Sequence, residues 1–260
     1  MSDVVDAVFA RAGERVRASE LARGPWDRGA QHGGAPAALL IGELERFDPT
    51  PELALARVTY EFVRPVPIGE LEVRIELVRP GRRVRLLEAA LTAAGVEVVR
   101  ARALQVRPAE VDAVSGEGEP APPGPEQGHE SVLPAPYRPM FSPDAVEIRF
   151  VSGSFGGGPC MAWFRLRVPL VAGEQPSPLQ RLAAAADFGN GISSTLSWNE
   201  YLFLNPDLTL YVEREPQGEW ICLRSQTRIV AGAGAIAESE LFDERGRVGH
   251  ATQALLVMRR

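Results

Sequence analysis

The chain has 260 residues, 45% of them hydrophobic, with 34 acidic against 28 basic side chains, a net charge of −6 and a pI near 5.3. That is enough apolar sequence for one large core or two ordinary ones, and the acidic balance excludes the basic stripe needed to grip a phosphate backbone, so nucleic acid is not expected as a partner. All 28 basic residues are arginine, which removes the lysine of a Walker phosphate loop and any Schiff-base lysine.

The opening residues, MSDVVDAVFARAGERVR, are charged throughout, so neither a secretory signal nor a membrane-spanning helix is expected, and a cytoplasmic location is. Gly33-Gly34-Ala35-Pro36 then opens a helical run, AALLIGELERF, apolar on most sides. His32 stands just before it, where the first N–H groups of a helix lack partners and glycines let a ligand come close. His32, Gly33 and Gly34 are therefore candidate substrate-binding residues, although a capped turn without ligand has the same pattern. Strands follow: Val58 to Val63, then Leu71, Val73, Ile75 and Leu77 alternating with Glu72, Arg74 and Glu76. Pro80-Gly81 turns the chain, Val84 to Leu91 returns, Ala94-Gly95 turns it again, and Val96 to Val106 closes an antiparallel meander.

Residues 108–139 are rich in Pro and Gly and poor in large apolar side chains, a composition that predicts a disordered, partly extended linker between domains at 1–107 and 140–260. Gly153 to Gly158 lacks the Gly-Lys-Ser/Thr of a phosphate loop and reads as a flexible hairpin leading into the strand WFRLR. A second helix, SPLQRLAAAADF, starts with Ser177 as its cap and Pro178 at its first position. Strands again follow. VTYEFVRPVPIGEL (58–71) aligns with LTLYVEREPQGEW (208–220), matching Thr59 with Thr209 and Arg64 with Arg214. Farther on, Gly95 aligns with Gly246 and Arg102 with Gln253, so the order of elements predicts an internal duplication.

Three polar positions could carry chemistry. Asp187 shares a helical face with Leu179 and Ala183 and ends that apolar stripe against the helix dipole, although an exposed Asp in a helix-ending turn fits as well. Gln253 lies in the closing strand HATQALLVMRR, where an amide can orient a water or donate to an oxyanion, or simply face solvent. Asn205-Pro206-Asp207 precedes the first long strand of the second half and offers a third polar group as well as ordinary turn chemistry. Cys160 and Cys222 suit two buried reduced thiols, and His32, His129 and His250 are too dispersed for a metal site. No Gly-x-Ser-x-Gly elbow is present, which argues against a serine nucleophile.

Helix, meander, linker, second helix and second meander resemble the double-hotdog acyl-CoA thioesterases, the thioesterase II-like family. The resemblance implies an α+β fold of two tandem hotdog domains, each a curved antiparallel sheet around a central helix, with the active site in the second. It implies Asp187 as the helix Asp, Gln253 as the closing-strand Gln, and Asn205, or Asp207 two residues on, where the family carries Ser or Thr. The mechanism it implies is a water deprotonated by Asp187 and held by Gln253, with acyl-CoA as substrate, a place in fatty acid metabolism, no metal or other cofactor, and a homo-oligomer, a dimer of double hotdogs. Two alternatives stay open. One is a non-catalytic acyl-thioester-binding protein; the other is a hotdog hydratase or dehydratase, which would pair Asp with a His after Asn-Pro, and no His follows Asn205-Pro206.

Overall fold

A computed structural model describes residues 6–47, 49–108, 121–131 and 133–260 of the chain. The first half runs β1 (Phe9–Ala12), β2 (Arg15–Ala18), α1 (Gly34–Arg46), β3 (Ala54–Phe62), β4 (Glu70–Arg79), β5 (Val84–Ala93) and β6 (Val96–Val106). There follow β7 (His129–Glu130), β8 (Val146–Ser152), β9 (Cys160–Leu166), α2 (Pro178–Ala186), the short α3 (Gly189–Ser193), β10 (Tyr201–Leu204), β11 (Asp207–Val212), β12 (Ile221–Ile229), β13 (Ala235–Asp243) and β14 (Gly246–Arg259). Both expected helices and the expected meander are present. The short strands β1, β2, β7 and β10 went unread because pieces of four residues or fewer carry too little periodicity.

The strands form one sheet in the order β1-β2-β4-β5-β6-β3-β11-β14-β13-β12-β9-β8-β7, with β10 added beside β14. Alternation along β5 buries Arg85, Leu87, Ala89 and Leu91 on one face, as period 2 requires. That face receives α1, whose Leu39, Leu40, Ile41 and Leu44 are buried; each stabilises the fold by about 1.5–3 kcal/mol. α2 packs against α1, and a single apolar core runs through both halves.

The two halves meet where β3 pairs antiparallel with β11, and Thr59 lies directly opposite Thr209, their hydroxyls 3.4 Å apart. The residues aligned by duplication thus face each other, as a local two-fold axis demands. Pairing also corrects the alignment farther along. Thr59 faces Arg102 and Thr209 faces Thr252, so Arg102 corresponds to Thr252, and Gln253 corresponds to the buried Ala103. The same offset relates the bulged Val98 of the first half to the bulged Val248 of the second, and pairs Val96 rather than Gly95 with Gly246. A slip of one residue in a strand exchanges its faces, which is why the sequence alignment set a surface arginine against a buried amide.

The expected linker also differs from expectation. Residues 109–120 and 132 lie outside the described residues, but the segment from 121 onward is seated on the fold rather than extended into solvent. Trp163 Nε1 donates to the Pro123 carbonyl at 2.7 Å, Pro125 is buried in a turn of 3-10 helix, β7 pairs with β8, and the buried Arg23 guanidinium donates to the carbonyls of Tyr137 (2.6 Å) and Pro139 (3.0 Å). Proline-rich backbone lacks donors but keeps every acceptor, so Trp and Arg side chains can hold a stretch with little apolar surface of its own.

Cys160 and Cys222 are buried free thiols, and burial pushes the Cys160 thiol up to about 12, so neither is a nucleophile near neutral pH. Among the described residues no helix is long and apolar enough to cross a membrane.

Asp243, at the end of β13, is fully buried and accepts two bonds of 2.6 Å from Arg214 as well as the N–H groups of Gln217 and Arg245. Burial pushes its carboxyl up, but these donors outweigh it and hold the group below the ordinary carboxylate range. Stability from this depressed carboxyl is complete above the unfolded value near ~3.9 and is lost as pH falls through the lower folded value. Because Arg214 is itself 37% exposed and partly screened, Arg214→Ala should destabilise the protein by about 2 kcal/mol near neutral pH. The difference from wild type should shrink as pH falls below the unfolded value, and urea unfolding on both sides of it measures the change.

Candidate functional site

The second helix begins with a reciprocal cap: Ser177 Oγ accepts the Gln180 N–H at 3.1 Å, and Gln180 Oε1 accepts the Ser177 N–H at 2.9 Å. Pro178 occupies the first turn, and the Gln180 amide also donates to the Ala38 carbonyl in α1 at 3.3 Å, tying the helices together. The helix closes at Ala186. Asp187 is its C-terminal cap, just outside the helix in which the sequence placed it, and α3 starts at Gly189. Its side chain is only 4% exposed, so the surface-turn reading fails.

Gln253 supplies the first partner. On β14 it faces inward and is buried; its Nε2 donates to Asp187 Oδ1 (3.1 Å) and to the Asp187 carbonyl (3.2 Å), while its Oε1 accepts the Asn190 N–H (3.0 Å). That last bond orients the amide, because a reversed Gln253 would set an N–H against an N–H. Asn205, between β10 and β11, donates from Nδ2 to Asp187 Oδ1 (2.8 Å) and to the Asp207 carbonyl (3.0 Å). Asp207 itself turns away: its Oδ1 accepts the Ala254 N–H at 2.7 Å, and burial raises its carboxyl above the ordinary range.

The first half completes the site. His32 Nδ1 lies 3.1 Å from Asp187 Oδ2 and 3.1 Å from the Gly34 N–H, with its ring against Phe188 (4.3 Å) and Phe141 (5.3 Å). Gly33 has ordinary helical angles, but a Cβ there would stand 2.7 Å from Asp187 Oδ2 and 2.9 Å from Phe62 Cζ; one on Gly34 would stand 2.5 Å from the Ala184 carbonyl oxygen. The two glycines let the start of α1 approach the end of α2. The Gly33 N–H has no acceptor among the described residues.

Of the seven residues singled out in the sequence, six therefore meet and Asp207 does not. Two features escaped that reading. His32 touches Asp187 directly, a contact between distant segments that no local pattern encodes. Asn190 not only orients Gln253 but has a buried Oδ1 without a partner among the described residues, and its nearest sequence signal was Gly189-Asn190-Gly191, which reads as a helix-ending turn.

Asp187 opens on a cavity of about 510 Å³ lined mainly by apolar and aromatic side chains, among them Trp26, Phe62, Leu133, Met140, Phe155 and Trp198. Trp26 from the first half stacks on Trp198 from the second at 4.1 Å, and Arg260 lies over both rings. A cavity of this size and polarity suits a small apolar ligand with one polar reacting group. Among the described residues no cluster of His, Cys, Asp or Glu could hold a metal ion.

Two family models match the chain: an acyl-CoA thioesterase N-terminal domain over residues 22–106 and an acyl-CoA thioesterase C-terminal domain over residues 112–257. No curated protein sequence matches it significantly. Solved structures of similar fold include a provisionally assigned thioesterase from Novosphingobium aromaticivorans, with a TM-score of 0.74 at 21% identity over 96% of this chain and 98% of that one. A protein with hot dog fold from Alicyclobacillus acidocaldarius has a TM-score of 0.73 at 17% identity over 98% and 97%. An acyl-CoA thioesterase II from Mycobacterium marinum has a TM-score of 0.63 at 16% identity over 95% and 92%. At these identities the likeness establishes the fold, an α+β hotdog architecture.

Gly33→Ala should push the Asp187 carboxylate off its partners and lower stability by about 1–3 kcal/mol, because both the carboxylate and Phe62 are packed in place. Gly191→Ala, where a Cβ meets nothing within 4 Å, should leave stability unchanged or slightly higher. Thermal unfolding of the two variants checks the contrast.

Proposed function

This chain belongs to the acyl-CoA thioesterase family, and from that premise we propose that it hydrolyses an acyl-CoA in the cytoplasm, with Asp187 activating the water. The supporting observation is the Asp187 carboxylate: buried in the wall of an apolar cavity, it has both amide donors, from Asn205 and Gln253, on Oδ1, leaving Oδ2 to take a proton. In this reading Oδ2 removes a proton from a water that attacks the thioester carbonyl. The electron pair displaced onto oxygen is met by backbone N–H groups at the start of α1, and collapse of the intermediate breaks the C–S bond and releases the thiolate. This reading needs no metal and no covalent intermediate.

The acyl chain occupies the aromatic cavity, and His32, Gly33 and Gly34 contact the thioester end. Arg260, over the tryptophans, is a cation available to the phosphates of coenzyme A. The halves divide as 1–107 and 140–260, with the second supplying Asp187, Asn205 and Gln253. A hydratase is the second reading, favoured by one observation: His32 provides from the first half the imidazole that does not follow Asn205-Pro206.

Asp187→Asn should lower thiol release from acyl-CoA by about a hundredfold or more, and Gln253→Ala by about tenfold, with the fold retained. Free-thiol detection across acyl chain lengths measures both, and unchanged turnover in Asp187→Asn would sink the assignment. Consumption of a 2-enoyl-CoA without thiol release would instead select the hydratase. Self-association belongs to the same proposal, supported by Ile236, Leu256 and Met258, apolar side chains exposed along β13 and β14. Sedimentation velocity should find a dimer.

A further inference from the structure

The contacts of one ring nitrogen cannot all exist in one protonation state. A neutral imidazole nitrogen carries either a proton or a lone pair. The Gly34 N–H, 3.1 Å from His32 Nδ1, can donate only to a lone pair. Asp187 Oδ2, also 3.1 Å from Nδ1, would then set acceptor against acceptor unless a proton lies between them. The two contacts thus belong to two states of one pair. In one, Nδ1 is bare and holds the Gly34 N–H; in the other, a proton sits between Nδ1 and Oδ2, and the Gly34 N–H loses its acceptor.

We propose that His32 is a positioning residue that acts as the proton partner of Asp187: it takes from Oδ2 the proton that Asp187 removes from the attacking water, and its protonation frees the Gly34 N–H for the developing oxyanion. This rests on the reading of Asp187 as general base. Water oxygen bonds to the carbonyl carbon, its proton passes to Oδ2 and on to Nδ1, and the C=O electron pair moves to oxygen beside the freed N–H. When the oxyanion collapses, the C–S bond breaks and the thiolate leaves with its electron pair. The imidazolium then returns the proton to the thiolate by way of solvent, restoring the bare nitrogen and its bond to Gly34.

The surroundings favour this exchange. Phe188 and Phe141 fix the ring, so Nδ1 stays between its two partners. From α1 and the segment before it the ring meets Gly33 and Gly34; from the end of α2, Asp187. The other charged side chains on the cavity are engaged elsewhere: Arg23 with Glu20 and the carbonyls of Arg28, Tyr137 and Pro139, Asp27 with the Gly29 N–H, and Arg64 with the Glu97 carbonyl. Asp187 is therefore the charged group facing the imidazole.

The test compares His32→Gln and His32→Asn with wild type and Asp187→Asn in thiol release over about pH 5 to 9. His32→Gln should lower kcat about tenfold, a larger change than the one in KM. The acid limb of its kcat/KM profile should also move, because Asp187 then has to keep the proton that His32 takes from it in the wild type. Wild-type kcat with an unmoved acid limb in both His32 variants overturns the proposal, while the loss in Asp187→Asn leaves the general-base reading standing. An active Asp187→Asn overturns both. If neither His32 variant folds, nitrogen NMR of the wild-type imidazoles decides, since the chain has three histidines: protonation of His32 Nδ1 across the acid limb supports the pair, and an unchanged nitrogen overturns it.

Discussion

The pairing of β3 with β11 is the contact on which the rest of the molecule depends. It joins the two meanders into one sheet through Thr59 and Thr209, and by setting the halves about a local two-fold it brings α1 and α2 together on one face. The beginning of one helix then meets the end of the other. Helix beginnings offer N–H donors and helix ends tolerate capping side chains, so the seam sets the N–H groups at Gly33 and Gly34 beside the carboxylate of Asp187, with His32 between. Neither half could assemble this site alone.

The halves share geometry and differ in chemistry. Their bulges at Val98 and Val248 recur in register, yet Ala103 stands where the second half has Gln253. The apolar residue at that place is fully buried and brings no polar group to satisfy. In the second half the same place needs an amide with both ends engaged, one on Asn190 and one on Asp187, since an unmet buried polar group costs about 1–3 kcal/mol. The duplication supplied a scaffold, and the polar network occupies one copy of it.

Much of this was legible in the sequence because the relevant signals are local. Alternation at 71–77, the bounds of Val96 to Val106, and the Ser177-Pro178 start each rest on a few adjacent residues and match the strands and helix observed. What was misread depends on relations between segments. The register that separates Ala103 from Arg102 is set by pairing across β3, the contact of His32 with Asp187 by helix packing, and the seating of residues 121–131 and 133–139 by side chains such as Trp163 and Arg23 that lie far off in the chain. A proline-rich composition reports how little apolar surface a segment has, not which donors reach its carbonyls.

The chain's four tryptophans fall into two pairs. Trp163 and Trp220 pack into a separate buried cluster, whereas Trp26 and Trp198 stack across the seam beside the cavity. Two indoles in van der Waals contact are electronically coupled, and this pair is made of one ring from each half. The protein therefore carries its own optical gauge of the seam: whatever parts those rings changes its ultraviolet circular dichroism and emission, without a label and without turnover.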